Sequence, residues 1–167
     1  MLAATPRDLS PPSRPRAALA LIALVLACHA AGGLGALATD AAWYRELARP
    51  SWAPPGWVFG PVWLTLYTMM GVAAWRVWRL PDGSPRTRAL GWFAAQLALN
   101  AAWTPAFFGL RSLGGGLVVI GLLIVAIAGT IRAFRVVAPR AASLLAPYLA
   151  WVLFATALNA ALWWLNR

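Results

Sequence analysis

The sequence predicts an all-α membrane protein: a five-transmembrane-helix bundle with a long, structured first loop. Three observations carry that prediction. Of the 167 residues, 62% are hydrophobic and only 11% are charged, a ratio suited to a lipid-facing surface. Apolar runs recur along the chain at close to the roughly 20 residues that a helix needs to cross a bilayer core of about 30 Å. Between the first two runs lies WYRELARPSWAPPGWVF (43–59), which carries more rigid aromatic surface than a plain linker needs.

Residues 1–16, MLAATPRDLSPPSRPR, are rich in proline and arginine and offer almost nothing to bury, so a disordered arm is expected. Residues 17–167 form the transmembrane domain. Its first span is placed at 17–38. The basic flank of that run also suits a secretory signal, but the run exceeds a usual signal core and no convincing cleavage site leads into a soluble domain. Cys28 is the only cysteine, so no intramolecular disulfide can form. The second span is placed at 57–78. LPDGSPRTR (80–88) follows it, and its Pro, Asp-Gly and Ser-Pro turn signals read as a cytoplasmic loop. Spans three and four are placed at 89–108 and 113–131, and the short link between them suits a tight antiparallel hairpin. The fifth span is placed at 141–165. Neither a repeat of about 20–50 residues nor an inverted half-repeat of the carrier kind is visible.

The net charge of +10 could suggest nucleic acid, but its distribution argues otherwise. Every basic residue is an arginine. Arg7, Arg14, Arg16, Arg76, Arg79, Arg86, Arg88, Arg132, Arg135 and Arg140 fall on one side of the predicted spans. Only Arg45, Arg49, Arg111 and Arg167 fall on the other. The positive-inside rule then places the N-terminus in the cytoplasm and the C-terminus outside, with a bacterial inner membrane as the expected location. Anionic lipid headgroups explain the excess charge without any nucleic-acid partner.

The external connection over residues 39–56 is long for a structureless loop. Asp40 is a candidate N-cap for a short helical turn in AATDAAWYREL. Pro50, Pro54 and Pro55 hold the chain extended, and Gly56 permits a sharp turn into span two. A packed lid is expected. An interfacial aromatic belt is the simpler alternative, but it would account for Trp52 and Trp57 alone.

Helical rise sets the depth of what lies beneath. Trp63 falls about 9 Å and Tyr67 about 15 Å below the outer face, with Trp103 about 8 Å and Asn100 about 12 Å below it. Gln96, Asn100, Trp103 and Phe107 step by helical intervals along one face, as do Trp151, Ala155 and Asn159. Lipid offers an amide no partner, so Gln96, Asn100 and Asn159 should face the interior. Each alone could be interhelical glue worth about 0.6–2 kcal/mol. The set, beneath an aromatic lid, predicts a cavity, with Gly32, Gly33, Gly35 and Ala36 leaving space opposite.

His29 reads as a helix-packing residue, since one imidazole with no partner at its depth is a weak basis for ligating a haem iron. Asp8, Asp40, Glu46 and Asp82 all lie outside the spans, which disfavours a proton-driven carrier. No metal cluster, phosphate loop or nucleophile–base pair is visible. Gly91 and Ala95 make a small-xxx-small pair of low specificity that could serve a helix contact or a dimer.

Three blocks resemble the TspO/MBR family, the tryptophan-rich sensory proteins related to the mitochondrial translocator protein. They are WYRELARPSWAPPGWVFGPVWLTLY (43–67), AAQLALNAAWTPAFFG (94–109) and PYLAWVLFATALN (147–159), with Arg49 in place of the family's usual lysine. The resemblance spans roughly residues 17–165. It implies a five-helix bundle, often a homodimer, that binds tetrapyrroles such as protoporphyrin IX under the first loop. By position, Trp43 and Tyr44 would cap the pocket, and Trp63, Asn100, Trp103, Ala150, Trp151 and Asn159 would line it. Tyr67, Gln96, Phe107 and Ala155 join them from the helical stripes. ALNAALWWLNR lacks the tyrosine of the family's sterol pattern, which makes sterol recognition doubtful. The expected function is therefore a tetrapyrrole-binding sensory or transport-associated membrane protein. Its ligand would be protoporphyrin IX or a haem-like ring, with membrane lipid as its surroundings and no cofactor required. The rivals are light-dependent porphyrin breakdown using Trp63 and Trp151, and a structural bundle that organises lipid.

Overall fold

The computed structural model describes residues 13–167, and among these every regular element is helical. The chain runs α1 (Arg14–Leu37), α2 (Ala41–Glu46), a 3-10 turn (Gly56–Val58), α3 (Phe59–Trp78), α4 (Ser84–Thr104), a π turn (Pro105–Gly109), α5 (Leu113–Val137), α6 (Pro139–Ser143) and α7 (Ala146–Leu165). Most of the expected arm lies outside the described residues. Its last part does not behave as an arm, because α1 begins at Arg14 and takes Arg14 to Arg16 into its first turn. Likewise α4 begins at Ser84, so half of the expected cytoplasmic loop is helical, with Pro85 in the first turn where its missing N–H costs nothing. The ion pair of Arg86 with Asp82 ties that turn to the loop before it.

Four segments are long and apolar enough to cross a membrane: Arg14–Gly35, Gly56–Trp78, Leu113–Val137 and Pro139–Leu165. The third expected span is a helix of comparable length, α4, with 21 residues. Arg86, Arg88, Gln96 and Asn100 dilute its apolar character. Composition therefore supports four crossings, and α4 joins those helices through packing. In that packing α1 lies against α3 and α4, α4 and α5 form a hairpin, α5 packs on α7, and α7 returns to α3. The ring so closed is filled in its inner half by Met70, Phe134, Tyr148, Ile127 and Leu145, all buried.

Lipid tails are as apolar as leucine, so helices in a bilayer gain little from the hydrophobic effect and are held by close van der Waals packing. Small residues therefore decide where backbones meet. A Cβ placed on Gly71 would lie 2.6 Å from the Val25 Cα, which fixes the crossing of α1 and α3. One on Gly129 would strike the Trp92 ring at 2.7 Å, which fixes α4 against α5. The Trp75 Nε1–H adds a bond to the Ala17 carbonyl at 2.7 Å and ties the inner ends of α3 and α1. By contrast Gly91, from the small-residue pair, is exposed and meets nothing within 4 Å.

The α4–α5 link departs from a plain hairpin. Pro105 lacks an N–H and its ring crowds the carbonyl of Ala101, so the regular ladder cannot continue. The chain instead widens into a π turn, with the Leu110 N–H donating to the Pro105 carbonyl at 2.9 Å. This brings Phe107 inward, to 2% exposure. Ser112 then caps α5, its hydroxyl accepting from the Gly115 N–H at 3.0 Å. If small residues set the crossings, Gly71→Leu should destabilise the bundle by about 1–3 kcal/mol through overpacking. Gly121→Leu, in open space, should be neutral. Thermal unfolding in detergent distinguishes the two, and equal melting points would refute the assignment.

Candidate ligand-binding cavity

A cavity of about 590 Å³ opens between the outer halves of the long helices, under residues 39–56. On α3, Phe59, Trp63 and Tyr67 reach it from one helical stripe, with Gly60 and Leu64 beside them. Asn100, Trp103 and Thr104 come from α4, followed by Phe107 and Phe108 from the π turn. Ile120 and Leu123 of α5, and Val152, Ala155, Leu158, Asn159 and Leu162 of α7, make the far wall. His29, Gly32 and Gly33 bring α1 to the near side.

The floor is a hydrogen-bonded network. The Tyr67 hydroxyl donates to Asn100 Oδ1 at 2.8 Å, and Asn100 Nδ2 donates to the Tyr148 hydroxyl at 3.2 Å. Above it the walls are aromatic and largely parallel in pairs. Trp63 stacks on Tyr67 at 5.1 Å between centroids and 23° between planes. Trp103 stacks on Phe107 at 4.9 Å and 27°. Asn159 donates through Nδ2 to the Leu113 carbonyl at 2.9 Å, which leaves its Oδ1 without a partner among the described residues. The Trp103 Nε1–H is likewise unpartnered.

The roof is α2 and the extended chain after it. Asp40 caps α2 by accepting from the Trp43 N–H at 2.9 Å. Its other oxygen accepts from Arg111 Nη2 at 2.8 Å, so the α4–α5 link holds down the front of the roof. At the back, the Ala48 N–H donates to Asn166 Oδ1 and Asn166 Nδ2 donates to the Ala48 carbonyl, both at 2.9 Å. Between these two ties Trp43 packs edge-on to Phe107 at 5.6 Å, and Tyr44 lies 5.8 Å from Phe108. Trp52 rests on Phe154 at 5.9 Å, whereas Trp57 is 75% exposed and belongs to the outer surface. The Trp43 N–H, and after it the Arg111 guanidinium, hold the Asp40 carboxyl below its ordinary value of 3.8.

The sequence-derived residues divide into two groups. Tyr44, Trp63, Tyr67, Asn100, Trp103, Phe107, Ala155 and Asn159 come together on the cavity. Trp43 lies over it on Phe107 and Phe108. The others lie elsewhere. Gln96, a turn below Asn100, is buried to 1% with neither amide atom partnered, and it does not reach the space. Trp151 packs behind Phe59 at 5.8 Å and against Phe154, and Ala150 is exposed. The inward stripe of α7 is Val152, Ala155, Asn159 and Leu162. Ala150 lies about 140° around the helix from Ala155, whereas Trp151 is only about 40° from it and stands behind Phe59, which lines the space in its place. Gly35 packs on Thr104 instead of lining the space. Sequence reasoning missed Phe59, Thr104 and the α5 contribution. Phe59 was signalled by its four-residue steps to Trp63 and Tyr67, whereas α5 is so uniformly apolar that no stripe marks its inner face.

Comparison with known proteins points the same way as the motifs. The TspO/MBR family model matches residues 22–165. The human translocator protein is 49% identical over 123 residues, covering 72% of this chain and 73% of the relative. Protein CrtK of Rhodobacter capsulatus is 41% identical over 142 residues, covering 84% and 89%. The tryptophan-rich sensory protein of Cereibacter sphaeroides is 41% identical over 138 residues, covering 83% and 85%.

The roof's front tie should respond to acid with a definite sign. A carboxyl held below its ordinary value stabilises the closed roof fully at pH above 3.8. That contribution is lost as the pH falls below this value and through the depressed one. Amide exchange across residues 41–46, corrected for intrinsic rates, should rise on acidification in the native chain. In Asp40→Asn, which keeps a cap but not the charge, the rise should flatten. An identical pH profile in the two would show that the tie does not hold the roof.

Proposed function

The chain belongs to the TspO/MBR family, and from that membership and the geometry of its cavity we propose that it binds a tetrapyrrole in the outer half of the membrane. One observation carries the proposal: two stacked aromatic pairs, Trp63–Tyr67 and Trp103–Phe107, border one apolar space of about 590 Å³. Pockets of roughly 300–1,000 Å³ with aromatic walls and a few oriented polar groups suit flat, largely apolar ligands. Protoporphyrin IX or a haem-like ring has that shape. It would lie against Trp63 and Trp103 over the Tyr67–Asn100 floor, with Tyr44 and Trp43 above. Trp151, behind Phe59, would support this wall without touching the ring. The role is sensory or transport-associated.

The same reading includes the membrane arrangement. Asn100 on α4 is satisfied by α3 and α7 inside the bundle, so α4 serves as a fifth crossing despite its composition. The arginine asymmetry supports a cavity on the non-cytoplasmic side, in a bacterial inner membrane on this reading, and a homodimer is the expected assembly. Light-dependent breakdown of the bound ring by oxygen is the rival reading. Only Trp63 of the two tryptophans considered for it contacts the cavity, which restricts that reading to one side chain.

Titrating protoporphyrin IX in darkness should quench tryptophan emission saturably, with affinity falling about tenfold in Trp63→Ala for the loss of roughly 1.4 kcal/mol of stacking. Quenching that never saturates and is unchanged in the variant would refute ring binding. Under illumination with oxygen, ring loss at the rate of free porphyrin in detergent would dispose of the rival.

A further inference from the structure

The cavity is walled unevenly. On α5 its lining residues are buried, and on α4 and α7 they are buried or half-buried, whereas on α1 and α3 Gly33, Gly60 and Leu64 are exposed, Leu64 to 62%. A Cβ built on Gly33 or on Gly60 meets no heavy atom within 4 Å. Beside and below this opening the same two helices touch. A Cβ on Gly32 would strike the Tyr67 ring at 2.1 Å, and one on Gly71 would lie 2.6 Å from the Val25 backbone. Between these levels His29 Nε2 lies 3.1 Å from Thr68 Oγ1, whose own hydroxyl proton goes to the Leu64 carbonyl at 2.9 Å. The two helices thus close over the inner half and part above a hydrogen-bonded sill.

Thr39, Ala41 and Gly56 at the edges of the roof also line the cavity and are exposed, but the roof is fastened at both ends. It is tied at Asp40–Arg111 and at Ala48–Asn166, and Trp43 seals it on Phe107. In the membrane arrangement proposed above, water faces the latched side and lipid faces the gap.

We propose that the gap between α1 and α3, edged by Gly33, Gly60 and Leu64 with His29–Thr68 as its sill, is a lateral portal through which a ligand dissolved in the bilayer enters the cavity. This rests on the ligand-binding reading above and narrows its ligand class to molecules that partition into lipid before they bind. A Cβ at position 33 or 60 meets no other heavy atom within 4 Å, so a longer side chain there can be tested for whether it closes the gap.

The full chain reconstituted in phosphatidylcholine vesicles tests this in two ways. Protoporphyrin IX preloaded in the vesicles should quench tryptophan emission about tenfold more slowly in Gly33→Leu/Gly60→Leu, a barrier of about 1.4 kcal/mol. Arg111→Ala, which unlatches the roof, and Gly121→Leu, a glycine in equally open space away from the gap, should keep the native rate. A native rate in the double variant, or faster entry in Arg111→Ala, would overturn the portal. The second probe needs no porphyrin, so it decides the portal even if ring binding fails. A phospholipid with a photoreactive group on its acyl chain should label peptides holding Trp63 or Trp103 in the native chain and lose that labelling in the double variant. Equal labelling in both would also overturn it.

Discussion

Asn100 sets the architecture above it. A bare amide in hydrocarbon costs several kcal/mol, so this side chain must find partners within the bundle. It finds them on two other helices, accepting from Tyr67 on α3 and donating to Tyr148 on α7. Three helices are thereby fixed at one level, and the bundle is held at a set width there. Below that level the interior is packed solid by Met70, Ile127, Phe134 and Tyr148. Above it the same width, lined by Gly32, Gly33, Gly60 and Ala155, is more than side chains fill.

The roof depends on this frame and contributes little of its own. α2 has six residues and none of them is buried. An isolated helix of that length is marginal. Its order comes from the Asp40 cap, the ionic tie to Arg111, the paired bonds of Asn166 to Ala48, and the aromatic contacts with Phe107 and Phe108. Those anchors belong to the π turn, the α4–α5 link and the residue that caps α7, so the roof is positioned by the ends of the helices it covers. The solid floor and tied roof leave the glycine-edged side as the compliant part of the wall.

Much of this was legible in the sequence because membrane helices obey few rules strictly. Apolar run length located the long helices, and buried amides at helical spacing placed Asn100 and Asn159 inside. The Trp- and Pro-rich segment declared a packed cover. What failed to show depended on phase. Ala150 lies about 140° around α7 from the inward-facing Ala155, whereas Trp151 is only about 40° from it and sits behind Phe59, a contact that helical spacing alone does not report. The π turn at Pro105 alters the register just before Phe107, and nothing in a run of apolar residues reports such a change. Helix starts at Arg14 and Ser84 were hidden because arginine suits a solvated helical turn as well as it suits a loop. Polar atoms at Arg86, Arg88, Gln96 and Asn100 are also why α4 fails a test of composition while sitting at the centre of the packing.

Arg111 holds a further consequence. It has φ of 46°, a left-handed backbone that ordinarily belongs to glycine and costs an L-residue roughly 1 kcal/mol or more. A glycine there would relax the α4–α5 link, yet it would remove the guanidinium that fastens Asp40. The chain keeps a residue that is unfavourable for its own turn and useful to a neighbour 71 positions away. Resilience to heat and closure of the cover therefore pull in opposite directions at this one position, and selecting for rigidity alone would loosen the protein where it shuts.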